Sequence, residues 1–236
     1  MVYGLIISAG KQSRFESATP KALMSYGNCT LLDINISNMK VTCDEVYVVV
    51  SKENQHWFDG YPKIVIESGN GCGDAVMRAL AQLELDEDDT VFIQWGDCFH
   101  TLHIYQDLRN RYVDTWLIPC VKEEKPYVQI EPISFDQVVV RFSKYNEPIT
   151  SGYHDLSLFY GNAKEMLYHL QQFANHSLSQ NKETLYQHKH GNELQFLDVF
   201  NETFLRAKVV ELTDYEDNSF NTLAQFQELM QKKILR

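Results

Sequence analysis

The segment Tyr3 to Ser8 is a near-continuous apolar run that stops in a loop of small residues, Ser8-Ala9-Gly10. An uninterrupted apolar run, without the alternation of a half-exposed strand, suits a strand buried on both faces, as in a parallel sheet covered by helices. The pattern repeats. Val46 to Val50 reads as a second buried strand, a short strand is expected around Lys63 to Glu67, and Val91 to Trp95 reads as another inner strand. Helical segments fall between them. Thr30 with Asp33 resembles a capping box opening a helix that carries Leu32, Ile36 and Met39 on one face, and Val76, Ala79, Leu80 and Leu83 mark a second amphipathic helix. This alternation predicts an α/β fold: a Rossmann-like mixed, mainly parallel sheet flanked by helices.

After about residue 97 the pattern loosens. Strands are expected at Thr115 to Val121, Val138 to Phe142 and Leu156 to Tyr160, with charged, proline-containing connections that allow a small antiparallel insertion. Asn162 with Glu165 starts a helix carrying Met166, Leu167, Leu170 and Phe173, and Thr222 with Gln225 starts the last one, carrying Phe226, Leu229 and Met230. Between them the polar stretch Asn175 to Asn192 reads as a mobile loop. The 236 residues hold no internal repeat and no linker rich in Pro, Gly or Ser. A single domain over 1–236 is expected, in two parts of different pattern, 1–100 and 101–236.

Twenty-one basic residues against thirty-two acidic ones give a net charge of −11. A field of that sign disfavours nucleic acid and anionic membranes as partners, so an anionic ligand must be held locally. The five cysteines include no CxxC pair, which argues against a zinc knuckle or a disulfide framework and fits a reducing cytoplasm. No apolar stretch approaches twenty residues, so no membrane span is expected. His188 with His190, and His100 with His103, lack a third ligand at zinc-site spacing and read as solvated loop histidines.

The first strand ends in Ser8-Ala9-Gly10-Lys11-Gln12-Ser13-Arg14-Phe15, followed by Thr19-Pro20-Lys21. In an open α/β sheet that loop lies at the carboxyl edge, where ligands bind. Small residues there expose backbone N–H groups, Arg14 can fork onto phosphate oxygens, and Lys11 and Lys21 add point charges, so the loop can cradle a triphosphate. It is equally readable as a solvated basic loop. It is neither a GxxxxGK[ST] loop nor a GxGxxG turn.

These residues resemble the sugar-phosphate nucleotidyltransferases and the related cytidylyltransferases and molybdenum-cofactor nucleotidyltransferases, whose signature is a first strand, then AAGxGxRF, then PK. Here Gln12 stands where the family has its second glycine. The resemblance implies a nucleotide-diphospho-sugar transferase fold, with a nucleotide-binding half at 1–100 and an acceptor-binding and C-terminal half at 101–236, and with Ser8, Ala9, Gly10, Lys11, Gln12, Ser13, Arg14 and Lys21 binding the nucleotide and Arg14 and Lys21 acting in catalysis. The segment Ser68-Gly69-Asn70-Gly71-Cys72-Gly73-Asp74 is similar to the family's base-recognition turn, which implicates Ser68, Gly73 and Asp74; alone, it is a glycine-rich turn capping a helix. The strand ending in Gly96-Asp97 resembles the family's GD motif, with Gly96 at the nucleotide and Asp97 as catalytic ligand of Mg²⁺. Phe220-Asn221 resembles the late segment that completes the metal site through Asn221, with Asp217 in reserve; Asn221 can also be read as no more than a residue preceding a helix cap.

For the acceptor, Arg141-Phe142-Ser143-Lys144 resembles the strand leading into a phosphate-binding lysine, which points to Lys144. Glu193 and Asp198 resemble acids that contact acceptor hydroxyls; without the family both read as surface acids on a helix. The implied reaction moves a nucleoside monophosphate from a nucleoside triphosphate, CTP before UTP, to a sugar phosphate or other small phosphorylated acceptor and releases pyrophosphate. Surface-polysaccharide or activated head-group synthesis is the implied setting, and the family admits a homodimer. Two other readings stay open. A glycosyltransferase of the same general fold would usually carry a DxD pair, where Gly96-Asp97-Cys98 offers one acid. A non-catalytic nucleotide-binding or regulatory module is kept open by Gln12.

Overall fold

The apolar runs do form the inner strands. The computed structural model describes residues 1–10, 15, 17, 19–67, 69–143, 149–177, 193–203, 205–213, 215, 219–220 and 222–234, the side chains of 232–234 excepted. In chain order the elements are β1 (Val2–Ile7), the short hairpin β2 (Ser25–Tyr26) and β3 (Cys29–Thr30), α1 (Leu31–Met39), β4 (Glu45–Ser51), β5 (Lys63–Ile66), α2 (Cys72–Leu80), β6 (Thr90–Trp95) and α3 (Leu102–Arg111). Then follow β7 (Trp116–Glu124), β8 (Val128–Pro132), β9 (Val138–Phe142), β10 (Ser151–Asp155), β11 (Leu158–Asn162), α4 (Ala163–Ser177), α5 (Asp198–Glu202), β12 (Ala207–Glu211) and α6 (Leu223–Ile234).

All the strands but β2 and β3 join one mixed sheet of ten, in the order β5-β4-β1-β6-β11-β7-β10-β8-β9, with β12 beside β7. The first four run parallel, and β12 is parallel to β7. From β11 to β9 the neighbours are antiparallel. Successive residues of β1 serve opposite faces. Tyr3 and Leu5 join one apolar core with Val76 and Ala79 of α2 and Met166 and Leu170 of α4. Val2 and Ile6 join the other with Ile36 and Met39 of α1 and Ile104 and Leu108 of α3. A strand covered on both sides can be apolar throughout, which is why β1, β4 and β6 stood out in the sequence.

Three helix starts follow their sequence signals. Thr30 and Asp33 form a reciprocal capping box, Asn162 Oδ1 accepts from the Glu165 N–H at 2.8 Å, and Thr222 and Gln225 exchange bonds at 3.1 and 3.2 Å. Two expectations need correction. Residues 175–177 belong to α4, whose apolar face runs on through Phe173 and Ala174, while 178–192 lie outside the described residues. The strand expected at Leu156 to Tyr160 is β11 and runs from Leu158 to Asn162, because Leu156 and Ser157, the latter at φ 59°, separate it from β10.

A third, smaller apolar cluster joins Phe15, Leu31, Phe99, Phe220 and Phe226. Three of these phenyl groups lie next to a sequence motif: Phe15 after Arg14, Phe99 after Asp97, and Phe220 before Asn221. Burying each ring is worth about 1.5–3 kcal/mol, so segments far apart in the chain are drawn to one corner of the sheet.

Candidate active site

The chain leaves β1 to build β4 and β5 on one side and then returns to place β6 on the other. The carboxyl ends of β1 and β6 therefore lie side by side at a topological switch point, with Ile7 opposite Trp95. Ser8 and Gly96 are consequently neighbours. The Gly96 N–H donates to Ile7 O at 3.0 Å, and a Cβ on Gly96 would lie 2.3 Å from Ser8 Oγ. Any side chain at 96 would force the Ser8 hydroxyl to move and would crowd the Ile7 carbonyl at 3.0 Å. Ser8 Oγ is buried without a hydrogen-bond partner, while the Ser8 carbonyl accepts from Asn54 Nδ2 at 2.9 Å.

Asp97 follows Gly96 directly. Its carboxylate Oδ2 receives Lys21 Nζ at 3.0 Å, the lysine side chain being 11% exposed and the aspartate 31%. Lys21 Nζ also donates to the Phe220 carbonyl at 3.3 Å, and the Phe220 N–H donates to Asp97 O at 3.3 Å. Three segments separated by most of the chain thus meet on one ion pair. Lys21 stands 5.8 Å from the centre of the Phe15 ring, and Phe15 packs on Phe220 with ring centres 5.9 Å apart. The phenyl cluster is the floor that keeps these polar groups in register.

The chain after Asp97 is pinned from below. Cys98 O accepts from Asn35 Nδ2 at 2.9 Å and from Gln94 Nε2 at 3.1 Å, and His100 O accepts from Asn38 Nδ2 at 2.8 Å. Tyr105 donates to Gln94 Oε1 at 2.5 Å. His100 corrects the sequence reading: it is fully buried, with Nδ1 2.6 Å from the Tyr215 hydroxyl. His103 is exposed, and His188 and His190 lie outside the described residues.

Burial lowers the His100 imidazole from 6.5 to about 3. The unfolded chain binds this proton near its ordinary value and the folded chain does not, so the neutral ring's contribution to stability is complete above pH 6.5 and lost as pH falls toward 3. Urea unfolding followed at stepped pH is expected to show this histidine steepening the acid limb by up to one proton, about 1.4 kcal/mol per pH unit. His100→Gln is expected to flatten the limb by that amount.

The turn at Asn70 to Asp74 packs against the segment Glu193 to Phe196. Leu194 N–H donates to Asn70 O and Gly73 N–H to Leu194 O, both at 2.8 Å, and Phe196 N–H donates to Cys72 Sγ at 3.2 Å. Asp74 is fully buried, and its Oδ2 accepts from Asn70 N–H at 2.9 Å and Arg78 Nε at 2.8 Å. Its contacts shape the turn from within. Glu193 is exposed, whereas Asp198 is fully buried at the start of α5, which corrects its reading as a surface acid. The core residues Phe196, Val199 and Phe200 on either side of it carry that part of the chain inward.

The structure therefore brings Ser8, Gly96, Asp97 and Lys21 together, and separately joins the glycine turn, with Gly73 and Asp74, to Glu193. Ala9 is half-buried and Gly10 exposed beyond Ser8. Lys11, Gln12, Ser13, Arg14, Ser68, Lys144, Asp217 and Asn221 lie outside the described residues. Sequence reasoning missed the Phe220 carbonyl, Asn54 and Tyr215. A backbone carbonyl and a remote tyrosine have no local signature; only Phe220 beside Asn221 was within reach.

Among the described residues no three His, Cys, Asp or Glu side chains gather as a metal group, and no helix is long and apolar enough to cross a membrane. All five cysteines are free thiols.

A cation and a carboxylate thus meet at the β1–β6 switch point of a mixed α/β sheet, the position at which open α/β sheets bind their ligands. The chain belongs to the MobA-like NTP transferase domain family, whose sequence model matches residues 4–194. The bifunctional protein GlmU of Ruthia magnifica is 30% identical over 107 residues, which cover 41% of this chain and 22% of that protein. GlmU of a Wolbachia strain is 32% identical over 98 residues, covering 39% and 24%. The chain thus matches about a quarter of the length of these curated relatives or less.

HddC of Yersinia pseudotuberculosis, solved with GMP-PN, aligns over 99% of this chain and all of its own, with a TM-score of 0.68 and 13% identity. The inositol-1-phosphate CTP transferase of T. maritima aligns over 98% and 95%, with a TM-score of 0.68 and 15% identity. A putative glucose-1-phosphate thymidylyltransferase of Bacillus anthracis, solved with a sucrose, reaches a TM-score of 0.70 at 13% identity over 98% and 95%. At these identities the likeness shows the fold, a nucleotide-diphospho-sugar transferase architecture.

Proposed function

We propose that this protein transfers a nucleoside monophosphate from a nucleoside triphosphate to a small phosphorylated acceptor, with CTP preferred over UTP. The observation that carries the reading is the Lys21–Asp97 pair, held by Phe220 at the β1–β6 switch point. An acceptor phosphate oxygen attacks the α-phosphorus, and the bond from that phosphorus to the bridging oxygen of pyrophosphate breaks as the new one forms. The protein's contribution is position and charge. Lys21 sets an ammonium beside the phosphates, its direction held by the Phe220 carbonyl and the Asp97 carboxylate. Arg14 adds a forked cation and Ser8 to Ser13 wrap the phosphates. Ser68 and Gly73 form the base side, where the fully buried Asp74 shapes the turn from within, and Lys144 and Glu193 form the acceptor side, where the fully buried Asp198 acts through the packing of α5 rather than on the acceptor itself.

The donors present fit Mg²⁺. A single carboxylate 31% exposed suits a hard cation that keeps waters and takes its remaining oxygens from phosphates, rather than one held in an all-protein cage. Asp97, joined by Asn221, would hold it, and it would supply charge neutralisation for the triphosphate. The structural neighbours include a CTP transferase, a protein solved with GMP-PN and a putative thymidylyltransferase, so the CTP preference rests on the sequence resemblance, with a sugar phosphate or an activated head-group precursor as acceptor and surface-polysaccharide synthesis as one setting. The five free thiols support a cytoplasmic location.

Incubation with Mg²⁺, each of the four common triphosphates and a panel of phosphorylated acceptors is expected to release pyrophosphate with CTP and one acceptor class. Thermal stabilisation by a triphosphate with no pyrophosphate from any pair overturns the catalytic reading in favour of a binding module.

A further inference from the structure

Two described residues that follow β12, Tyr215 and Phe220, touch the loop that carries Asp97. The Tyr215 hydroxyl lies 2.6 Å from His100 Nδ1, three residues beyond Asp97. The Phe220 carbonyl accepts from Lys21 while the Phe220 N–H donates to Asp97 O. His100 is fully buried and rigidly framed: its carbonyl is held by Asn38, its ring stands 6.3 Å from that of Tyr105, and Nε2 lies 3.5 Å from Cys98 Sγ. Tyr215 therefore bonds to a fixed point. Upstream, Leu212 N–H is tied to Cys120 O at 2.9 Å, and downstream Phe220 is buried among Phe15, Leu31, Phe99 and Phe226.

We propose that Tyr215 is a positioning residue: its hydrogen bond to His100 ties residue 215 to the Asp97 loop five positions before Phe220, and so limits where the Phe220 carbonyl can meet the Lys21 ammonium. The inference rests on the proposed nucleotidyl transfer for its kinetic consequence, but not for its geometry. The distance from hydroxyl to imidazole suits a short, strong hydrogen bond, and a neutral ring can accept it. A lysine side chain turns about four bonds, so a fixed carbonyl beside its ammonium, together with the Asp97 carboxylate, removes rotamers that point away from the phosphates. Loosening the anchor leaves the charge present and its placement spread over several rotamers.

Tyr215→Phe removes the hydroxyl and keeps the ring. Two readouts separate placement from simple packing. The first is acetylation of Lys21 by dilute acetic anhydride, read by peptide mass spectrometry against the exposed Lys40 in the same sample, well below each protein's melting temperature. The Lys21 to Lys40 ratio is expected to rise at least fivefold in Tyr215→Phe, and His100→Gln combined with Tyr215→Phe is expected to add less than twofold more. The second is turnover, which is expected to fall about tenfold while the triphosphate KM stays within twofold. A Lys21 ratio within twofold of the parent's overturns the proposal, as does a double variant whose effect is the product of two independent ones. A parent that releases no pyrophosphate from any pair overturns the function reading instead, and the acetylation ratio still decides the role of Tyr215.

Discussion

Lys21→Ala and Asp97→Ala are each expected to slow pyrophosphate release by about a thousandfold or more, measured with whichever triphosphate and acceptor the parent uses. In the proposed reaction these two groups sit where charge must move: the ammonium would meet phosphate oxygens whose negative charge shifts onto the leaving pyrophosphate, with the carboxylate beside it at the strand end. Neither effect should come from unfolding. The pair lies at the rim of the sheet, outside the two large apolar cores. The two losses still differ in their structural consequence. Removing Lys21 leaves a carboxylate that is 31% exposed and rehydrates easily, whereas removing Asp97 leaves an ammonium only 11% exposed. Asp97→Ala should therefore lower the melting temperature more than Lys21→Ala.

Combining the two substitutions is expected to cost little more activity than the worse single one, because residues acting on one phosphate group are strongly non-additive. Turnover within tenfold of the parent's in either single variant removes that residue from the chemistry.

Gly71→Ala is expected to carry the largest structural effect among single-atom changes near the site. Gly71 adopts φ 103°, where an L side chain is strained, and its added Cβ would lie 2.6 Å from Leu194 O and 2.9 Å from Leu194 N. Both neighbours are backbone atoms engaged in the bonds that join the turn to Leu194, so neither can swing aside. Strain of about 1–3 kcal/mol for the backbone conformation, with a similar amount for overpacking, predicts a fall in melting temperature of roughly 10 °C. The pairing of Leu194 with Asn70 and Gly73 should loosen with it, read as faster amide exchange at Leu194 and Gly73. A variant that melts with the parent and keeps slow exchange at both positions refutes the account.

The legible parts of this protein were those where one local rule had no competitor. β1, β4 and β6 are covered by helices on both faces, so their runs are almost wholly apolar, the buried Gln94 of β6 being satisfied by Cys98 O and Tyr105. The caps at Thr30, Asn162 and Thr222 are satisfied by side chains three residues away, a distance at which sequence and space agree. β10 was not legible, since Ser151 to Asp155 has neither an apolar run nor regular alternation, and its place in the sheet comes from pairing with β7. α3 went unread because its first turn has no side-chain cap. The histidine at position 100 looked like a loop residue because nothing near it in sequence announces Tyr215, more than a hundred positions away.

The same division runs through the site. From the sequence alone came the small-residue loop after β1, the glycine turn before α2, the Gly96-Asp97 strand end and the late Phe220-Asn221 segment, because each is a short pattern whose chemistry depends on residue type and spacing. Tertiary structure alone decided that Lys21 pairs with Asp97, that the Phe220 carbonyl holds Lys21, and that Asp74 and Asp198 face inward. Those facts depend on the order of β1 and β6 in the sheet and on a phenyl cluster assembled from distant segments. Burial and partner choice at such sequence separations are set by the packing of the whole chain, and no local window contains them.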